Sequence, residues 1–282
     1  MNPKETETMG AYGIAAAGQD APEELSGLLE EIRVRGYGAM SSVIDEAEVA
    51  ELNAAMDAIY AAQCEEVGGE AALAAINDAD IARCPLACDE RFLGLATHPT
   101  LIAVARAVLG ENFVLLMQNG VINRPDRAQF QGNWHRDLNY QHWVNSKPIA
   151  MSALACLEDF NPTTGGTAFL AGSHRFEDFP SQAYAQQAAV TPVLPKGSII
   201  FFDSMVFHRA GVNRSGGVRR AVNHVLGAPI LAQQVDIPAM LGRAAPEDPW
   251  LAGYLGYRWN PVQDVAAWRR RKIAQLPPRE EF

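Results

Sequence analysis

Hydrophobic positions change their period near residue 113. Before it they recur every three or four residues, the spacing that lays them along one face of a helix. Leu25, Leu28, Leu29 and Ile32 do so behind Pro22, with Glu23 and Glu24 where the dipole of a helix start favours acid, and the pattern predicts a helix over 22–33 broken by Gly36-Tyr37-Gly38. A short apolar strand is expected over 39–44. Asp45, with Glu48 three positions on, reads as an N-cap, opening a helix to about Glu66 that carries Val49, Leu52, Met56, Ile59 and Tyr60 on one face. Residues 68–91 are Ala-rich, acidic and without period, and predict a helical or looped insertion. His98-Pro99 begins a helix over 101–109, with His98 as an ordinary entry residue and Gly110 as its C-terminal stop.

From Phe113 onward the apolar runs shorten and are separated by Gly, Pro, Asn and Asp, which predicts strands over 113–123, 129–137, 149–158, 167–171, 189–194, 198–202 and 219–226. Such a set of short strands predicts a mainly β core with flanking helices, closed as a jelly roll. After 229 the chain is aromatic around Trp250, Tyr254, Tyr257 and Trp259, and 265–276 reads as a terminal helix whose Arg269, Arg270 and Arg271 form a solvated face. Residues 1–20 lack any period and are expected to form a mobile arm. With no internal repeat and no low-complexity linker, 21–282 is expected to be one domain: a helical part over 21–112, a β core over 113–228 and a C-terminal segment over 229–282.

Composition acts mainly by exclusion. The 282 residues suffice for a full core, and 48% apolar with 20% charged residues is ordinary for a globular protein. A formal net charge of −10 argues against a nucleic-acid surface, which needs clustered Lys and Arg, and favours a small-molecule partner. No run approaches the roughly eighteen apolar residues of a membrane span, and the N-terminus lacks a basic stretch followed by an apolar one, so no membrane partner and a cytoplasmic location are expected. Cys64, Cys84, Cys88 and Cys156 are too few and too irregular for a disulfide framework. Cys84-x3-Cys88 lacks a second pair at zinc spacing. No Gly-x-Gly-x-x-Gly turn marks a dinucleotide site.

Chemistry concentrates at Asn133-Trp134-His135-Arg136-Asp137. On a strand, residues two apart share a face, so His135 and Asp137 can grip one metal ion. With the distant His208, in the apolar run Phe201 to His208, they make two histidines and a carboxylate, the facial triad of non-haem Fe(II) oxygenases. Trp134-His135-x-Asp137 is followed in order by Gly165-Gly166-Thr167-Ala168-Phe169-Leu170-Ala171-Gly172-Ser173-His174-Arg175, by Pro195-Lys196-Gly197-Ser198, by His208 and by Arg219. Over 118–226 the sequence resembles the phytanoyl-CoA dioxygenase family of Fe(II)- and 2-oxoglutarate-dependent oxygenases. The resemblance implies a double-stranded β-helix, Fe(II) held by His135, Asp137 and His208, and 2-oxoglutarate whose distal carboxylate an arginine holds, with O2 as co-substrate. Ala171 departs from the proline usual in the family's Pro-Gly-Ser-His turn.

An arginine fork suits a carboxylate because it donates two parallel charge-assisted hydrogen bonds. In the last predicted strand Arg219, Ala221, Asn223 and Val225 share one face, and Arg220, Val222, His224 and Leu226 the other. Alternation does not say which face is inside; the resemblance selects Arg219. Gln118 matches an amide that often contacts the cosubstrate in related enzymes, and Asn123 and Trp134 are further cofactor-binding candidates, with Ser152 a weaker one. His174 reads as tying its loop by hydrogen bonds, and His224 as structural. His142 and Trp143 suit either the substrate mouth or packing, and Arg124, Arg127, Arg136 and Lys147 either an acidic substrate or solvent.

The function these readings imply is a dioxygenase that oxidises, most simply hydroxylates, an unactivated C–H bond of a small organic molecule and releases succinate and CO2. The alternative is a cupin-like small-molecule or metal-binding protein with a vestigial site. A halogenase of the same fold would need a small residue in place of the carboxylate, and Asp137 is present. Substrate, reaction outcome and oligomeric state are left open.

Overall fold

The protein is described by a computed structural model covering residues 23–127, 130–138, 143–259, 261–262 and 264–274. The arm expected over 1–20, Gln129 and His142 lie outside the described residues. Helices α1 (Ser26–Arg35), α2 (Glu46–Glu66), α3 (Glu70–Ala75), α4 (Glu90–Ala96), α5 (Pro99–Leu109), α6 (Gln182–Ala188), α7 (Ile237–Leu241), α8 (Pro249–Tyr254) and α9 (Val265–Ala274) surround strands β1 (Tyr37–Met40), β2 (Ile81–Arg83), β3 (Val114–Asn123), β4 (Ala150–Cys156), β5 (Ala168–Leu170), β6 (Ala189–Val190), β7 (Ile199–Asp203), β8 (His208–Arg209) and β9 (Arg219–Gly227). The strands form a six-stranded sheet in the order β1-β7-β4-β9-β3-β2 and a three-stranded sheet in the order β6-β5-β8, with every named pairing antiparallel. Two antiparallel sheets with helices over one face make a jelly roll.

Alternation along the strands divides the core in two. Leu154 and Cys156 of β4, Ile200 and Phe202 of β7 and Ala221 of β9 point between the sheets, where they meet Phe160 and Phe169. Met151, Ala153 and Ala155, Ile199 and Phe201, and Val222 and Leu226 point outward into a larger cluster with Leu52 and Met56 of α2 and Leu95 and Leu101 of α4 and α5. Those four helix residues are fully buried, and each such side chain contributes about 1.5–3 kcal/mol by leaving water. Burial on both faces explains why 149–158 and 198–202 read as continuous apolar runs. Among the described residues no single helix is long and apolar enough to cross a membrane; the apolar pair α4 and α5 is bent by 43° and sits in this outer core.

Several expectations move. The strand expected over 39–44 is β1, which uses Tyr37 and Gly38, two of the residues read as the helix break. Gly36 ends α1 with φ +85° and its N–H on Ile32 O, and pairing with β7 starts at the next residue. The unpatterned insertion contains α3, β2 and the start of α4, and β2 extends the large sheet by pairing with β3. Over 130–137, the described part of the strand expected at 129–137, no strand forms. Its place is taken by a 3-10 turn at Phe130–Gly132 and a single bridge between His135 and His208. Gln131, Gly132 and Asn133 have no alternating apolar face to bury, so no ladder is sustained there.

On the outer face of β9, His224 is fully buried, with Nε2 2.9 Å from Gln118 Nε2 and Nδ1 3.1 Å from Ala153 O. Burial pushes its imidazole down to about 4. A histidine kept neutral in the fold stabilises fully above its unfolded value of about 6.5, and that contribution is lost as pH falls to about 4. The span corresponds to about 3 kcal/mol. Asp203, whose carboxyl burial raises to about 6, works in the opposite direction over part of this range, so the comparison must be a difference. Melting temperatures of His224→Gln and wild type should therefore converge between pH 6.5 and pH 4; a constant gap would show that this imidazole does not titrate as described.

Candidate metal centre

His135 and His208 are brought together by the backbone before any side chain acts. His135 N–H donates to His208 O and His208 N–H to His135 O, both at 3.0 Å. This reciprocal pair places the two imidazoles side by side, with ring centroids 4.4 Å apart. His208 also stands against Phe169 and Phe202, which fix its ring. Each Nδ1 lies on a carbonyl oxygen, Asn133 O at 2.8 Å for His135 and Val206 O at 3.0 Å for His208. A carbonyl accepts only, so Nδ1 carries the proton and Nε2 presents its lone pair. Both Nε2 atoms face Asp137 Oδ1, at 3.9 Å and 3.4 Å. Donor atoms of all three residues lie within 4.8 Å of one another.

Electrostatics agree with a cation between them. Burial and the neighbouring His208 both lower His135. Burial also opposes a charge on His208, but Asp137 outweighs it and raises that imidazole. Burial alone would raise Asp137; His208, the hydrogen bond to it and His135 reverse the effect and hold the carboxyl well below the usual range. A buried carboxylate facing two imidazole lone pairs suits a divalent metal of intermediate softness, and two histidines with one carboxylate are the donor set of non-haem Fe(II).

A second charged group shares the cavity. Arg219 is 2% exposed, lies over the Phe160 ring at 4.6 Å and donates from Nη2 to Gly165 O at 2.7 Å. Its Nε has no partner, and it makes no ion pair with a described residue. Desolvation brings it down to about 10. A guanidinium buried this way is unstable unless an anion joins it. Asn123, its cross-strand partner, donates to the same Gly165 O at 3.3 Å and to Gly211 O at 3.0 Å. Gly165 has φ +73°, and a Cβ there would stand 2.6 Å from Gly211 O, so this close approach of loops to Arg219 requires glycine. Arg220 points the other way and pairs with Asp57 and Glu158.

One cavity of about 540 Å³ is lined by the triad, Arg219 and Asn223. Trp134 stands at its rim, packed on Phe179 with Arg209 over its ring. Gln118 does not line this cavity. Its Nε2 donates to Phe92 O at 2.7 Å and its Oε1 accepts from Leu86 N at 2.9 Å, on the helix-covered face of β3. A register shift between Leu115 and Met117 decides which residues of β3 face inward; they are Met117, Asn119 and Val121, which line the cavity. His174 is held by Arg175 Nε at 2.9 Å beside Gly36, away from the triad. Of the flanking cations, Arg124 bonds Asp80, Arg127 pairs with Glu70 and Asp80, and Arg136 donates to the carbonyls of Met205, Glu177, Ser173 and Phe176. Lys147 is exposed, and Trp143 does not line the cavity.

Sequence reasoning missed the wall made by Ile76, Asp78 and Arg83, which comes from the unpatterned insertion. It also missed Ser204, whose carbonyl accepts from Asp137 N at 3.0 Å. No local pattern announces either.

Jelly roll and His-Asp-His cluster are those of a non-haem iron oxygenase that uses 2-oxoglutarate. The model of the family described as phytanoyl-CoA dioxygenase (PhyH) matches residues 32–221, and the chain belongs to that family. The uncharacterized protein Rv1501 of Mycobacterium tuberculosis is 30% identical over 219 residues, 74% of this chain and 77% of that one. Among solved structures, the non-haem alpha-ketoglutarate-dependent epimerase SnoN from nogalamycin biosynthesis has a TM-score of 0.55 at 21% identity, covering 73% of this chain and 84% of its own. HygX from Streptomyces hygroscopicus, with nickel and 2-oxoglutarate bound, has a TM-score of 0.56 at 16% identity, covering 79% of this chain and 92% of its own.

The metal centre makes a direct prediction. Anaerobic Fe(II) titration should give one site per chain in wild type, and the His135→Ala/His208→Ala double variant should lose binding while its circular dichroism stays that of the fold. Wild-type affinity in that variant would remove these histidines as ligands.

Proposed function

We propose that this chain hydroxylates a C–H bond of a small organic molecule, with His135, Asp137 and His208 as the iron ligands and Arg219 as the clamp for the distal carboxylate of 2-oxoglutarate. The observation that carries this reading is Arg219, a buried cation without an ion pair among the described residues, in the same cavity as the triad. When bound, iron(II) would let O2 oxidise both 2-oxoglutarate and the substrate C–H bond, one oxygen atom passing to succinate, released with CO2, and the other to the hydroxylated product. The chain orients and shields. Nε2 of each histidine is held forward by the carbonyl on its Nδ1, Asp137 offers Oδ1, and Leu154 and Phe202 line the interior without adding polar groups.

The cavity also bears on the substrate. Arg83 is paired with Asp78 and Arg136 is spent on carbonyls, so neither of these lining cations is left to receive an anionic head group. Asn119 and Gln234 line the same wall, beside Met117, Ile81 and Val121. An uncharged molecule with both polar and apolar surface suits such a wall.

The clamp is tested by titrating 2-oxoglutarate anaerobically against the Fe(II) protein and following the metal-to-ligand charge-transfer band. Breaking a buried charge-assisted pair costs about 3–5 kcal/mol, so Arg219→Ala should lose about 100-fold or more in cosubstrate affinity. Arg219→Lys should recover only part, because an ammonium cannot reproduce the fork. Arg220→Ala should bind as wild type. Loss in Arg220→Ala with retention in Arg219→Ala would reverse the assignment. For the reaction, the product should gain one oxygen atom per succinate formed, read by mass; a product with no added oxygen would exclude hydroxylation.

A further inference from the structure

The two oxygens of Asp137 live in different surroundings. Oδ1 faces both imidazoles. Oδ2 accepts a hydrogen bond from Ser152 Oγ at 2.5 Å and another from Asn223 Nδ2 at 3.2 Å. Ser152 Oγ lies 2.9 Å from Ser204 Oγ, and Ser204 in turn holds the Asp137 backbone through its carbonyl. Three elements, β4, the turn after β7 and β9, therefore converge on one carboxylate whose own segment is not a strand. Ser152 and Ser204 are fully buried, so water does not compete for these bonds. The amide of Asn223 can sit only one way round, because its oxygen would repel a carboxylate.

We propose that Ser152 and Asn223 are positioning residues that hold Oδ2 of Asp137 off the metal, so that the carboxylate binds through Oδ1 alone and does not compete with the cosubstrate for a coordination position. The proposal rests on the iron reading above. A carboxylate can bind a metal through one oxygen or both, and an ion with two imidazoles and two carboxylate oxygens has one fewer open position. Two donors on Oδ2 favour the one-oxygen mode because both hydrogen bonds must be given up, in a buried place, for Oδ2 to turn to the metal. Ser204 acts one step behind, by orienting the Ser152 hydroxyl. Substitution of such supporting groups around metal ligands typically changes metal affinity or activity by about 10–100-fold. Here the loss should fall on the position that is closed and not on the metal.

The test compares wild type, Ser152→Ala, Asn223→Ala, the double variant and Ser152→Thr, which keeps the hydroxyl. Fe(II) affinity and anaerobic 2-oxoglutarate affinity are measured separately, the second by the charge-transfer band, and thermal melts establish that each variant is folded. The double variant should retain Fe(II) within about tenfold while its 2-oxoglutarate affinity falls by about 10–100-fold, with the single variants between and Ser152→Thr close to wild type. The Co(II)-loaded double variant should also change its visible absorption, which a role confined to folding would leave alone. Unchanged 2-oxoglutarate affinity in a folded, iron-loaded double variant would overturn the proposal, as would a fall in Fe(II) affinity that equals or exceeds the fall for 2-oxoglutarate. If the double variant fails to fold, the same criteria apply to Asn223→Ala, whose residue is only partly buried. A wild type that binds Fe(II) but shows no band with 2-oxoglutarate would refute the oxygenase reading instead, a result distinct from either.

Discussion

The site depends first on two main-chain hydrogen bonds, those exchanged between His135 and His208. They close the edge of the small sheet with a segment that is otherwise irregular, and they set the spacing of two residues far apart in sequence. Once that bridge exists, both Nδ1 atoms find carbonyls within their own turns, and the tautomer needed for metal ligation follows from local geometry. Side-chain chemistry at this centre is downstream of backbone pairing.

The strand period of two does the next part. On β9 it sends Arg219, Ala221 and Asn223 between the sheets and Arg220, Val222 and His224 under the helices, so adjacent arginines have opposite fates. Arg220 meets Asp57 and Glu158; Arg219 meets a phenyl ring and a carbonyl. A fold that buries a cation with so little compensation carries a local cost, which an anion brought beside it would offset. The same logic runs inversely at Asp137, whose carboxylate is buried among imidazoles and hydroxyl and amide donors.

The cavity wall is composite. Its inner part is strand residues of a regular sheet, but its outer part is supplied by Ile76, Asp78 and Arg83, around the added strand β2. The pairing of Arg83 with Asp78 makes that wall polar without making it charged. The outer part of the cavity is therefore shaped by a segment outside strands β3, β4, β7 and β9.

The sequence by itself determined the jelly roll, the His-x-Asp pair and the pair of alternating faces, because each rests on short-range regularity: helical spacing before residue 113, strand runs after it, and two ligand-type residues two apart; His208 was joined to that pair only by the order of distant motifs. It also named Arg219, although only by resemblance, since alternation separates two faces without saying which is inside. Tertiary structure decided the rest. Gln118 fell to the outer face because β3 shifts register between Leu115 and Met117, and a one-residue slip reverses every side chain beyond it. His135 and Asp137 converge without a strand between 129 and 137, held by a bridge to His208 and by Ser152, Ser204 and Asn223. Those partners lie on separate elements, and contacts between elements leave no local pattern in the chain.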